Sequence, residues 1–172
     1  MDSEKLTKEE IFGQINERSI FYRGSILNFC IALEKAMDLF VASYLTNDRY
    51  KQQEIMVLLL DRMTFEGKRT TVKSILYKAE EKAGFVKTKK NSYKHSALIE
   101  EIREINQIRN YMAHYLLATY KEAYERYPEE IGFIEFRDSP KCFWMNHETF
   151  VNMMNKISHA HDQMNSLVLP CK

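Results

Sequence analysis

Three side chains able to do acid–base and phosphate chemistry fall within one short run, Arg109-Asn110-Tyr111-Met112-Ala113-His114. A guanidinium grips a phosphate through two parallel hydrogen bonds. An imidazole moves a proton near neutral pH. An amide both donates and accepts. Side chains of these types, so close together, point to phosphodiester chemistry without a metal.

Such a set acts only if an element presents it. Leu98, Ile102, Ile105, Ile108, Met112, Leu116 and Thr119 recur at three- and four-residue intervals and predict one long helix over residues 94–126, stopped near Pro128. Successive residues turn by about 100°, so Asn110 and His114 lie about 40° apart, off that apolar stripe. Arg103, Gln107, Tyr111, Leu117 and Ala118 share this second face on the same wheel. An apolar and aromatic stripe directed outward needs a partner, either another helix of the chain or the same helix of a second subunit across a two-fold axis. Arg109 sits about 140° from His114 on the helix surface, and in a symmetric dimer two Arg109–His114 sets could converge in one cleft.

The remaining elements are also read as helices. Thr7-Lys8-Glu9-Glu10 has the form of a capping box and starts a helix reaching Arg18 or beyond. A second stretch over 22–46 carries Ile26, Phe29, Cys30, Leu33, Met37, Phe40, Val41 and Tyr44 as one stripe, with Gly24 either a break or an interior residue. Helices over 51–63 and 68–83 follow, joined by Thr64-Phe65-Glu66-Gly67, and short connections favour antiparallel neighbours. Residues 131–145 alternate in part around the turn Arg137-Asp138-Ser139-Pro140-Lys141, which fits a short β-hairpin insertion or, nearly as well, an irregular loop. Asn146 caps a last helix over 147–167. The predicted class is all-α: an antiparallel bundle of five to six helices in a single domain, 1–172, interrupted by the insertion at 128–146.

Composition sets bounds on function. The 172 residues suffice for one sizeable core. A net charge of +1 excludes a globally basic nucleic-acid binder, so any such site is a local patch. Cys30, Cys142 and Cys171 are widely spaced and odd in number, which suggests reduced thiols and an intracellular protein. The N-terminus lacks an apolar signal core, and the aliphatic run Ile55 to Leu60 is too short to span a bilayer. The chain is therefore read as soluble and cytoplasmic, with no membrane partner.

The Arg109–His114 run resembles the R-x4-6-H motif of the HEPN superfamily, the higher eukaryotes and prokaryotes nucleotide-binding domains, in which a polar residue such as Asn110 often follows the arginine. The layout is similar too: a long early helix, a helical pair joined near Thr64–Lys68, the motif on a late helix, and a C-terminal helix. The resemblance spans roughly residues 22–168. It implies a metal-independent endoribonuclease, often of toxin–antitoxin or anti-phage systems, with its site at a homodimer interface formed by the 94–126 helix. Single-stranded or structured RNA would be the substrate, an antitoxin protein could be a partner, and no cofactor would be needed. The ribose 2′-hydroxyl would attack the adjacent phosphate, leaving a 2′,3′-cyclic phosphate and a 5′-hydroxyl. His114 would act as general base or acid, Arg109 would neutralise charge on the phosphorane oxygens, and Asn110 would orient the histidine or bind phosphate. DNA lacks the attacking hydroxyl, so cleavage would be confined to RNA. The alternative is a catalytically inactive HEPN-like module that binds nucleotide, RNA or protein.

Weaker candidates surround this set. Segment 68–94 holds nine basic residues against Glu80 and Glu81, and its Lys87, Lys89 and Lys90, with Arg103, are candidate phosphate contacts; a solvated face is the competing reading. Glu34 either holds Arg109 or Arg23 in place or is a surface carboxylate. Tyr111 is a supporting residue. His159 and His161, two apart on a helix, point in nearly opposite directions and cannot share an ion; no zinc-type spacing is present. No Gly-rich phosphate loop or G-x-S-x-G elbow occurs.

Overall fold

The computed structural model describes residues 6–88 and 92–168. The chain is mostly helical and carries a small antiparallel sheet: α1 (Lys8–Leu45), α2 (Arg49–Leu58), a 3-10 turn (Leu60–Arg62), α3 (Phe65–Lys82), α4 (Ser96–His114), β1 (Leu116–Leu117), α5 (Lys121–Arg126), β2 (Glu130–Ile134), β3 (Cys142–Asn146) and α6 (His147–Leu167). Two compact units are built from these. One holds residues 6–28 and 107–155, the other residues 29–106 and 156–168 within the described range. Helices α1, α4 and α6 each continue from one unit into the other.

Local chemistry sets several boundaries. The Thr7 amide donates to Glu10 at 2.8 Å and the Glu10 amide donates to Thr7 Oγ1 at 3.3 Å, the reciprocal pair of a capping box. Asp48 caps α2, Thr64 caps α3 at 3.1 Å, and Asn146 Oδ1 accepts from the Thr149 amide at 2.7 Å at the start of α6. Gly13 and Gly24 lie inside α1, which runs unbroken for 38 residues. The two early helices expected from the sequence are therefore one. A glycine costs a helix only about 1 kcal/mol relative to alanine, too little to break one packed along its length.

The unit of residues 6–28 and 107–155 contains the sheet. Its strand order is β1-β2-β3, all antiparallel, with Leu117 opposite Phe133 and Ile131 opposite Met145. The hairpin read at 131–145 is thus formed by β2 and β3, and β1 adds a third strand that sequence reading did not anticipate. Ile131, Phe133 and Met145 are buried with Ile15, Tyr22, Ile26, Met112, Ala118 and Phe150. The rings of Tyr22 and Phe150 stack with centroids 4.2 Å apart.

The second unit is helical. Leu33, Met37, Val72, Leu98, Ile102, Ile105 and Ile157 form its interior. Lys68 is buried there, with Nζ 2.7 Å from Glu34 and 2.9 Å from Asp38. Lys156 pairs with Glu104 at 2.8 Å, and His159 lies 3.2 Å from Glu101. Phe29 and Tyr44, counted in the stripe of the early helix, are exposed. Among the described residues no helix is long and apolar enough to cross a membrane.

The long helix expected over 94–126 is corrected. It ends at His114, and the chain then turns extended to pair with β2. Leu116 and Thr119, placed on the apolar stripe by the wheel, are exposed, and Ala118 is buried. The wheel fails beyond His114 because the backbone from Leu116 onward takes its hydrogen bonds from a strand, not from its own preceding turn. The amide of Ala118 donates to the Gly132 carbonyl at 2.9 Å. An extended segment alternates its side chains and cannot continue a helical face.

Candidate functional site

Where α4 ends, its last carbonyls lose their intrahelical donors. Arg23, reaching across from α1 within the same unit, supplies donors. Its Nη1 donates to the Met112 carbonyl at 2.6 Å and its Nη2 to the Tyr115 carbonyl at 2.5 Å. Its Nε donates to Ser19 Oγ at 3.2 Å, and the guanidinium stands 4.7 Å from the Phe133 ring centroid. Burial lowers the pKa of Arg23, yet an arginine stays cationic across ordinary pH. Arg23 therefore pins the stretch of backbone that carries His114.

Beside this helix end lies a groove of about 650 Å³. Gln107, Asn110, Tyr111, His114 and Tyr115 form one wall. Glu135, Phe136, Arg137 and Lys141, from the turn between β2 and β3, form the other. Asn110 and His114 are exposed, and both face the groove as expected for residues four apart on one helix. Tyr111 and Tyr115 stack with centroids 4.6 Å apart, and Phe143 backs Tyr111 at 5.4 Å. Loss of water raises the pKa of Tyr115, and the nearby Glu135 carboxylate adds to the effect. Glu135 is held by Arg137 Nε at 2.7 Å.

The structure brings Asn110, Tyr111 and His114 together. Arg109 is half-buried, does not line this groove, and places Nη1 3.3 Å from Asn110 Oδ1. Glu34 pairs with Lys68, not with Arg109 or Arg23. Arg103 forks onto Glu100, at 2.5 and 2.9 Å. Lys87 stands 5.7 Å from the centroid of the Tyr93 ring. Neither Lys87 nor Arg103 lines the groove, and Lys89 and Lys90 lie outside the described residues. The basic run is also less free than its count suggests, because Lys68 is buried in its ion pairs and Arg69 is forked onto Glu66.

Tyr115, Glu135, Phe136, Arg137 and Lys141 are the groove residues that sequence reading missed. For all but Tyr115 the signal was present in the turn Glu135-Phe136-Arg137-Asp138-Ser139-Pro140-Lys141, an aromatic among charged residues. Only the pairing of β2 with Leu116 and Leu117 carries that turn to the end of α4. Among the described residues no group of three or more His, Cys, Asp or Glu side chains is arranged to hold a metal ion. Compared with protein-family models, curated proteins and solved structures, the chain matches none.

Proposed function

We propose that this protein is a HEPN-type endoribonuclease that cleaves RNA through its own 2′-hydroxyl. The observation that carries the reading is the open groove lined by both Asn110 and His114, with Arg137 and Lys141 facing them from the hairpin turn. A histidine packed in a dry core would argue against proton transfer to a polymeric substrate; His114 is exposed. The 2′-oxygen would bond to phosphorus while the bond from phosphorus to the 5′-oxygen breaks. The 2′-hydroxyl gives up its proton and the departing 5′-oxygen gains one, and His114 mediates one of these transfers. Asn110 would hold a phosphate oxygen or orient the imidazole. Arg109 would serve the phosphorane from a two-fold partner or by swinging from its place beside Asn110.

The test is RNA cleavage in chelator, comparing the native chain with His114→Ala and Arg109→Ala. The expected result is cleavage by the native chain, ends carrying a 2′,3′-cyclic phosphate, and a loss of at least about 100-fold in both variants. Equal cleavage by all three would overturn the assignment.

A second reading, binding without cleavage, draws on the position of Arg109 outside the groove. It predicts RNA affinity with no cyclic-phosphate product.

A further inference from the structure

The turn between β2 and β3 is built, not loose. The Glu135 amide donates to the Lys141 carbonyl at 3.0 Å and the Arg137 amide to the Glu135 carbonyl at 3.1 Å. These bonds set Arg137 and Lys141 on the same wall of the groove. At the head of the turn Phe136 is 87% exposed. A phenyl ring held in water forgoes its burial, so this one has a cost that a ligand would remove. Tyr115, on its stack with Tyr111, offers a second aromatic on the opposite wall.

We propose that the hairpin turn is the gripping arm of the groove, with Phe136 stacking on an unpaired base and Arg137 and Lys141 neutralising adjoining phosphates of the RNA strand. The proposal rests on the ribonuclease reading for the choice of RNA, and gives that site its substrate form. Aromatic faces interleaved with cations are what single strands require, because every unpaired base has a face to stack. In a duplex those faces are already occupied. The volume of about 650 Å³ is within the range of small-ligand sites, enough for a splayed nucleotide. Arg137 and Lys141 balance Glu135 and Asp138 in the turn as a whole, but Asp138 does not line the groove, so the groove-lining part of the turn carries two cations and one carboxylate. The Arg137 side chain remains 74% exposed while its Nε holds Glu135.

The measurement is fluorescence anisotropy of a labelled oligouridine, roughly a dozen nucleotides long, on the full chain carrying His114→Ala so that the probe stays intact. Phe136→Ala should weaken binding at least about fivefold, and Phe136→Tyr should restore it. Arg137→Gln with Lys141→Gln should flatten the plot of log affinity against log salt by about 0.7 for each phosphate that is no longer neutralised. A duplex of equal length should bind at least about tenfold more weakly. All three sites are exposed, so matching circular dichroism and urea midpoints are expected. Unchanged affinity and salt slope in these variants, or equal binding of duplex, overturns the proposal. So does loss of affinity only for an acidic peptide, which would make the turn a protein-docking arm. Cleavage by the native chain alongside unaffected hairpin variants removes this inference alone. Binding that depends on the turn, with no cleavage, removes the nuclease reading and keeps the arm.

Discussion

Arg23 Nη1 donates to the main-chain carbonyl of Met112 at 2.6 Å, two residues before His114. The same guanidinium reaches the Tyr115 carbonyl, so one side chain satisfies acceptors on both sides of the histidine. Arg23→Ala should destabilise the fold by roughly 2–4 kcal/mol, because charge-assisted bonds are lost and part-buried carbonyls are left unpaired. Arg23→Lys should recover only part of this, since an ammonium lacks the planar fork. Urea unfolding of the two variants against the native chain checks the ordering.

Lys68 is 2% exposed and lies between two carboxylates; Asp38 is buried too, and its Oδ1 makes no hydrogen bond among the described residues. Lys68→Met should therefore cost about 3–5 kcal/mol, the typical penalty for removing one partner of a buried pair, because the exposed Lys35, 3.5 Å from Asp38, is then the cation left to it. Lys68→Met combined with Asp38→Leu should regain most of the loss, because removing both charges lifts the desolvation penalty. Chemical denaturation of the single and double variants tests this; a double variant as unstable as the single would refute it.

Gly132 sits in the middle of β2, opposite Trp144. A Cβ there would come within 2.7 Å of the Trp144 ring, 2.9 Å of Ala118 Cβ and 2.9 Å of Cys142 Sγ. The Ala118 methyl has no rotamer by which to retreat. Gly132→Ala should destabilise by about 1–3 kcal/mol, and hydrogen exchange at the Ala118 amide, which bonds Gly132, should speed up more than exchange in α3.

Acid should weaken the fold in a direction set by its paired carboxylates. The Arg69 fork lowers the pKa of Glu66, that of Arg103 lowers Glu100, and the Lys35 ammonium lowers Asp61. Each binds a proton less readily folded than unfolded, so its contribution is complete above the ordinary carboxylate range. It is lost as pH falls through that range to the lowered folded value. The urea midpoint should drop between about pH 6 and about pH 3, and Glu66→Gln should flatten part of that slope. A midpoint that rises toward acid would contradict the assignment.

What the sequence determined by itself was local. Apolar residues spaced at three and four positions mark the later part of α1 and α4 as far as Met112, because a helix satisfies its backbone internally and shows its buried face as a period. Thr7 with Glu10, Asn146 and the turn residues at 137–141 mark ends and reversals through bonds spanning only a few residues. The proximity of Asn110 and His114 on one face follows from the same geometry. Tertiary structure decided where α4 stops and what faces it. Tyr115 to Tyr120 reads as helix, yet Leu116 and Leu117 pair with strand residues far along the chain and a guanidinium from α1 takes the freed carbonyls. Both partners lie many residues away, so no local pattern encodes them. Their pairing ends the helix at His114, buries Ala118, and brings Phe136, Arg137 and Lys141 to the wall facing the histidine.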